Sequence, residues 1–197
     1  MTRPLTLLII LILTLLGKLP LRFRRFLGKN LGTLAYHISS RESQISTLQL
    51  KKILKQNSEQ SVQTTKKIYQ NLAINFLEII NLKPILKNPN LHFEINQPAL
   101  LKKYATDDYP VILLSAHTGN WELLAAYLIK TSHPLIAIGK PMRSKVIQNL
   151  LEWLRSQYSV TTAWRGSISG TKELTRNLKN GATLGGLIDQ DLSLIHI

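Results

Sequence analysis

The chain has no cysteine among its 197 residues. This excludes disulfide bonds, thiolate metal sites and a cysteine nucleophile. The sequence also lacks a glycine-rich loop followed by Lys and Ser or Thr, so nothing in it indicates a nucleotide phosphate site. Residues 166–170 (GSISG) place Ile168 where a nucleophile elbow needs serine. Covalent catalysis through a Ser or Cys nucleophile is therefore not expected.

Acidic residues are few. The chain has 11 Asp and Glu against 25 Lys and Arg, which gives a formal charge of +14. The excess is uneven, because residues 1–55 contain ten basic residues and one acid, Glu42. Such a region favours a polyanionic partner, either anionic lipid or nucleic acid. Nucleic acid is the weaker interpretation, since no base-reading motif accompanies the charge and an apolar run adjoins it.

A long apolar run is also missing. The longest, residues 5–16, has twelve nearly unbroken apolar positions, whereas a helix that spans a bilayer needs about 20. The run therefore predicts an anchor that lies in the membrane plane or inserts partly. A secretory signal peptide is the competing interpretation because Arg3 precedes the run, but residues 17–20 lack a small-x-small cleavage site.

A basic cluster follows the apolar run at once, and large apolar side chains interleave with it. By the positive-inside rule such a cluster stays on the cytoplasmic side, and the interleaving is typical of an amphipathic helix in the membrane interface. The alternative is a core helix with a solvated basic face. We expect residues 1–29 to form a membrane-associated segment and residues 30–197 to form a separate domain. The basic residues are Lys18, Arg22, Arg24, Arg25 and Lys29, and the apolar ones are Leu19, Phe23, Phe26 and Leu27.

The order of predicted elements indicates the fold class. Helical periodicity predicts two helices, at 43–56 and 59–82. From residue 91 onward, short apolar strands alternate with helices, which favours an α/β fold with a mainly parallel sheet behind a helical N-terminal portion. The predicted strands are 91–95, 111–114, 134–138, 159–164 and 182–188, and the predicted helices among them are 98–104, 121–130, 144–158 and 170–178.

A histidine and a glutamate stand at the junction after the 111–114 strand. His117 and Glu122 are five residues apart, so on one regular helix they would point about 140° apart. They can meet only if His117 precedes the helix, where Gly119 relaxes the backbone and Asn120 or Thr118 caps the helix start. A neutral imidazole held by a carboxylate is a suitable general base near pH 7. The alternative is a structural histidine in an ordinary strand–helix turn.

The sequence around this junction resembles the lipid A biosynthesis acyltransferases of the lauroyl/myristoyl type. These belong to a wider group of glycerolipid acyltransferase-like membrane enzymes that share a histidine followed, five residues later, by an acid. The resemblance covers roughly residues 1–191 and is strongest from 110 to 191. Its motifs are His117 with Asn120-Trp121-Glu122, Gly139-Lys140-Pro141 with Arg143, Arg155, Trp164-Arg165-Gly166, and Gly181 followed by Asp189-Gln190-Asp191.

The resemblance implies an acyltransferase domain from residue 30 onward. The implied acyl donor is an acyl carrier protein thioester, and the implied acceptor is a hydroxyl of a phosphorylated glycolipid. His117 would act as general base and Glu122 would fix its tautomer, while the amides of residues 118–121 would face the oxyanion. The implied location is the cytoplasmic face of the inner membrane, in contact with membrane lipids and without nucleic acid. No cofactor or metal is expected.

Five further residues are expected to bind substrate. Arg155 and Arg165 are suited to an anion, either a lipid phosphate or the phosphopantetheine of a carrier, because guanidinium forms paired hydrogen bonds with phosphate. Arginines at such positions can also be ordinary surface residues. Asp189 and Asp191 follow a predicted strand and are suited to orient a hydroxyl or the arginines. As a metal pair they are weak, since no third ligand is evident. Asn120 completes the set through the resemblance.

The resemblance has one departure with consequences. Residues 192–197 do not resemble the family's Gly- and Arg-containing continuation, so the sequence predicts that the last third of the family's sheet and substrate pocket is missing. Two alternative functions stay open. One is an acyltransferase that uses another glycolipid or glycerol phosphate as acceptor. The other is a non-catalytic membrane-binding fragment.

Overall fold

The computed structural model describes residues 2–106, 111–131 and 134–189. Its contacts divide the chain into two compact units. One comprises residues 11–81, and the other combines residues 1–10 with residues 82–197. The functional boundary expected at residue 29 remains a prediction.

Residues 11–81 form a helical unit in which α4 packs against both α2 and α3. The α4 helix begins with a capping box, in which the Asn57 side chain accepts from the Gln60 amide at 2.8 Å and the Gln60 side chain accepts from the Asn57 amide at 3.2 Å. The helices predicted at 43–56 and 59–82 are confirmed to within three residues at each end. The bounds are α2 Leu21–Ile38, α3 Ser40–Ile53 and α4 Ser58–Ile79, and the unit also contains the last part of α1 Thr2–Gly17.

The first helix contains the apolar run of the sequence. Several of its large side chains are more than half exposed, among them Leu7, Leu11 and Leu15. Within the residues that the structure describes, no helix combines the length and the apolar character needed to cross a membrane.

The second unit contains a four-stranded parallel sheet in the order β1-β4-β2-β3. Each strand is linked to the next by a helix, which confirms the predicted α/β class. The strands are β1 Ile112–Ser115, β2 Leu135–Gly139, β3 Thr161–Trp164 and β4 Thr183–Leu187. The helices are α5 Lys83–Lys87, α6 Pro98–Thr106, α7 Trp121–Lys130, α8 Lys145–Ser156 and α9 Ile168–Lys179.

Apolar clusters are buried on this sheet. Leu128 of α7 packs with Leu135 and Val160 in one of them. Ile136 is fully buried in another, with Ala163, and is packed by residues of α9. Because side chains alternate between faces along a strand, neighbouring residues Leu135 and Ile136 contribute to different clusters.

The strand predicted at 91–95 is wrong. The structure has a 3₁₀ turn at Pro89–Leu91, after which the backbone is irregular. The turn forms because Pro89 fixes its own backbone and its carbonyl accepts from the amides of His92 and Phe93, both at 2.8 Å. The short helix α5 was not predicted either, and Pro84 lies in its first turn, a position to which proline is well suited.

Candidate active site

The register of two parallel strands places the candidate catalytic residues. Ser115 at the end of β1 pairs with Leu187 at the end of β4, and the Ile188 amide continues the ladder by donating to the Ser115 carbonyl at 3.1 Å. His117 and Asp189 each follow two residues after those strand ends. Because adjacent parallel strands run in step, the two side chains arrive at the same edge of the sheet.

His117 and Asp189 form a hydrogen-bonded pair. The imidazole Nδ1 lies 2.8 Å from Asp189 Oδ1, and the backbone amide of His117 donates to both carboxylate oxygens at 3.0 Å. The hydrogen bond from the His117 ring, supported by its backbone amide, holds the pKa of Asp189 below its ordinary value. With Nδ1 facing a carboxylate, the neutral imidazole carries its proton there, which leaves the Nε2 lone pair available as a base.

The turn between β1 and α7 fixes the position of this histidine. Gly119 has a φ of +61°, in the left-handed region that favours glycine. Asn120 caps α7, because its side-chain oxygen accepts from the Leu123 amide at 3.1 Å. The rings of His117 and Trp121 contact each other edge to face, with their centroids 5.0 Å apart. The expectation that His117 precedes the helix and that Asn120 or Thr118 caps it is confirmed, with Asn120 as the cap.

Glu122 has a different partner from the one expected. Its carboxylate accepts from Arg155 Nη2 at 2.5 Å and from Arg155 Nε at 2.9 Å, and both side chains are mostly buried. The expected contact between Glu122 and His117 is therefore not formed in this structure. The physical reason is that Glu122, in the first turn of α7, is held by an arginine from α8, while the Asp189 carboxylate occupies the Nδ1 side of the imidazole.

The Arg155 side chain is likewise held by hydrogen bonds within the protein. In addition to the two bonds with Glu122, its Nη1 donates to the Thr162 hydroxyl on β3 at 2.8 Å. Each guanidinium nitrogen thus faces an oxygen of the protein, and the arginine links α7, α8 and β3. This arrangement differs from the open phosphate-binding fork expected from the sequence.

Of the remaining predicted residues, Arg165 lies away from this pair of contacts. Arg165 follows β3 and is exposed, and its backbone amide donates to the Gly139 carbonyl at 2.8 Å. Asp191 lies outside the described residues. In the part of the chain that the structure describes, no group of three or more His, Asp or Glu side chains is placed to hold a metal ion.

A cavity of about 60 Å³ lies beside the Glu122–Arg155 pair. Apart from that pair its lining is mostly apolar, and it includes the small residues Gly185, Ala125 and Ala137. Because glycine and alanine fill little space, the cavity follows directly from the residue types on β4, α7 and β2. A group the size of a water molecule needs ~10–15 Å³ of such volume, so the cavity has room for roughly four groups of that size.

Sequence reasoning named Asp189 but missed its role as the partner of His117. The signal was present, because both residues lie two positions after a strand end, but it is informative only when β1 and β4 are known to be neighbours. Thr162, which binds Arg155, was missed because an isolated threonine in a strand carries no motif.

A comparison with protein families identifies the family of the chain. The model of the bacterial lipid A biosynthesis acyltransferase family matches residues 1–195. The curated proteins and the solved structures that were compared with the chain gave no significant match. Since the family match extends over nearly all of the 197 residues and includes the His117 site, the chain belongs to the bacterial lipid A biosynthesis acyltransferases.

Proposed function

We propose that the protein transfers a fatty acyl chain from an acyl carrier protein thioester to a hydroxyl of a phosphorylated lipid A precursor. The observation that carries the proposal is the His117–Asp189 pair, with Nδ1 and Oδ1 2.8 Å apart at the carboxyl edge of the sheet. The family supplies the reaction class, and the pair supplies a base whose second nitrogen is held by a carboxylate.

The proposed chemistry is direct transfer. His117 Nε2 takes the proton of the acceptor hydroxyl while that oxygen attacks the thioester carbonyl. The resulting oxyanion lies near the first amides of α7, which have no partner within the helix and carry its positive dipole end. The carbon–sulfur bond then breaks, and the imidazolium returns its proton to the leaving thiolate. Asp189 stabilises the imidazolium between these two proton transfers.

Glu122 and Arg155 take a positioning role in this proposal. Their paired hydrogen bonds hold α7 to α8, and α7 carries Trp121, whose ring meets His117. The His117–Glu122 dyad expected from the sequence is replaced by His117 and Asp189. Removing Glu122 alone would leave the mostly buried guanidinium of Arg155 without its carboxylate, which is costly at such a site.

The chemistry of the residues around the His117–Asp189 pair supports a binding place for each substrate. The acyl chain would place its terminal methylene groups in the apolar cavity beside Glu122. Arg165, which is exposed after β3, is proposed to contact an acceptor phosphate. The helix α1 and the basic residues after it would hold the protein at the cytoplasmic face of the inner membrane.

The test is an acyl-transfer assay with acyl carrier protein thioester and lipid A precursor. We expect His117→Ala to reduce kcat by at least about 10²-fold, since base catalysis typically contributes ~10²–10⁴-fold. Asp189→Asn should also be strongly impaired, and the His117→Ala/Asp189→Asn double variant should be hardly worse than His117→Ala, because groups that act as one unit are not additive. His92→Ala, at an exposed histidine, is the matched control and should retain activity.

Substantial activity in a folded His117→Ala protein would overturn the mechanism. An unaltered chain that transfers no acyl group to any acceptor would overturn the catalytic proposal and favour the membrane-binding alternative. Transfer to glycerol phosphate but not to the glycolipid would instead identify the other acceptor class.

A further inference from the structure

The helical unit of residues 11–81 has small side chains inside, where α2 meets α4. A Cβ atom on Gly28 would lie 2.8 Å from Ile74 Cα, and one on Gly32 would lie 2.5 Å from Gln70 Cα. The two backbones are thus so close that only glycine fits at both positions of α2. Close helix contact through small residues is typical of packing in an apolar medium, where burying large side chains brings little gain.

The contact between α3 and α4 has the same character, with hydroxyl groups in place of glycine. Ser61 and Thr65 are fully buried. Their hydroxyls donate to the carbonyls of Asn57 and Ser61, each at 2.8 Å, and Thr65 Oγ1 also lies 2.9 Å from Thr47 Oγ1. These polar atoms are therefore satisfied by the helices themselves, without water.

The distribution of side chains in this unit is the reverse of an ordinary protein core, with small and polar residues inside and large apolar residues outside. Between residues 21 and 76 the buried residues are Arg, Gly, Ser and Thr only. Arg24, 1% exposed, donates to the carbonyls of Leu77 and Glu78 at 2.8 and 3.1 Å. Large apolar residues of the same segment are exposed by more than a third; they are Phe23, Phe26, Leu31, Leu34, Ile38, Ile45, Leu48, Ile53, Leu54, Val62, Ile68, Leu72 and Phe76.

Four of the five exposed large apolar side chains of α2 form one stripe. At 100° per residue they fall within an arc of about 80° that lies beside the packed sector of Gly28 and Gly32, and Phe26 falls outside this arc. We call this the α2 apolar stripe, and the exposed fraction rises to 72% at Ile38. The stripe consists of the exposed Phe23, Leu31, Leu34 and Ile38, with the half-buried Leu27 in the same arc.

The opposite flank of α2 is basic. Arg22, Arg25 and Lys29 lie within about 60° of one another, on the other side of the packed sector. Residues 11–81 together contain eleven Lys and Arg against three Glu. An apolar stripe with adjoining basic residues complements a surface that has hydrocarbon beneath anionic phosphates.

We propose that the α2 apolar stripe lies in the acyl-chain boundary of an anionic bilayer while α2 remains packed on α4. The inference rests on the proposed membrane location, and it extends the membrane contact beyond residue 29 to Ile38. The occupant is lipid because the unit's interior has the composition of helices packed in an apolar medium, and because the surrounding charge is basic. The helical unit then binds the membrane surface through α2, in addition to any anchoring by α1.

The experiment uses the full chain, whose lack of cysteine allows single labelling sites. Leu34→Cys and Ile38→Cys proteins carry an environment-sensitive fluorophore and are mixed with vesicles of phosphatidylethanolamine and phosphatidylglycerol. We expect blue-shifted emission and quenching by a quencher attached to the lipid acyl chains. Lys29→Cys, on the basic flank of the same helix, is the matched control and should remain accessible to iodide in water.

A second variant measures the contribution of the stripe to binding. Leu34→Asn/Ile38→Asn should weaken vesicle partitioning by about tenfold or more, because two large side chains lose their transfer into hydrocarbon. Leu91→Asn, at an apolar residue 79% exposed in the other unit, should bind like the unaltered chain.

Two outcomes would overturn the proposal. One is that labels at Leu34 and Ile38 stay as accessible to iodide as the label at Lys29 when the protein is bound. The other is that these labels become buried without vesicles as protein concentration rises, which would identify a second copy of the chain as the occupant. Failure of the catalytic proposal is detected separately, since the His117→Ala assay does not depend on vesicle binding.

Discussion

At the scale of single residues, the two carboxylates of the site do different work. Asp189 is partly exposed and bonded to His117, whereas Glu122 is mostly buried and bonded to Arg155. Substitution at Asp189 should therefore affect proton transfer first. Substitution at Glu122 should affect the joining of α7, α8 and β3 first.

The lowered pKa of Asp189 predicts a pH dependence of stability. A carboxyl group whose folded-state pKa lies below its unfolded value of about 3.9 stabilises the fold above that pH, and loses the contribution as the pH falls through the folded pKa. The free energy of unfolding of the unaltered protein should thus decline more steeply below about pH 4 than that of Asp189→Asn. Urea denaturation from pH 6 to pH 3 measures this difference. Parallel curves for the two proteins would show that the His117–Asp189 contact does not make the free energy of unfolding depend on pH.

The cavity predicts a change in acyl-chain preference. A Cβ on Gly185 would lie 3.2 Å from Leu135 Cδ1, so in Gly185→Val the side chain would crowd Leu135 and fill the space. If two methylene groups are excluded at about 0.8 kcal/mol each, kcat/KM for the longer donor should fall roughly tenfold relative to a shorter one. Competition between two acyl carrier protein thioesters measures the ratio. An unchanged ratio in a folded variant would place the acyl chain elsewhere.

The site was predictable from the sequence only in part. The Gly119-Asn120 turn carries local chemistry, so the position of His117 before a capped helix could be derived. The contact with Asp189 joins residues 72 positions apart and depends on strand order, which no local pattern encodes. The same limit explains why Glu122 was expected at His117, since spacing along the chain does not reveal an arginine that arrives from α8.

At the scale of elements, helices and strands with clear periodicity were predictable and segments shaped by proline were not. The α4 helix has a strong pattern and a capping box, so its prediction held. The segment at 91–95 alternates in hydrophobicity, but Pro89 starts a 3₁₀ turn there. The α5 helix shows the complementary error, because no helix was predicted there and Pro84 lies in its first turn.

The α2–α4 contact gives a prediction at this scale. Gly32→Ala should destabilise the protein although alanine favours helices by about 1 kcal/mol, because the new Cβ would meet the backbone of Gln70 and Tyr69 at 2.5 Å. Forced overpacking costs about 1–3 kcal/mol. Gly186→Ala is the control, since its nearest neighbour would be 3.9 Å away. Denaturation midpoints in detergent measure both variants, and a stabilised Gly32→Ala protein would contradict the close contact.

At the scale of the whole molecule, the charge of +14 and the apolar surfaces should contribute separately to membrane binding. Raising the salt concentration from ~0.1 M to 1 M shortens the screening length from about 10 Å to 3 Å. This should weaken binding to anionic vesicles without releasing all of the protein, because the apolar contribution is not screened. Flotation with anionic and uncharged vesicles measures the two parts. Complete release by salt would show that attraction between charges accounts for all of the binding.

The strand order also has a consequence during protein synthesis. In the described part of the sheet, β1 hydrogen-bonds with β4 alone, although β2 and β3 are made between them. At ~5–20 residues per second, Asp189 leaves the ribosome roughly 4 to 14 s after His117, and until then β1 lacks its partner while Ile112 and Leu114 carry apolar surface that stays largely exposed even in the folded sheet. His117 acquires its carboxylate partner only when the last described strand joins the sheet, so the His117–Asp189 pair is not assembled in an incompletely folded chain.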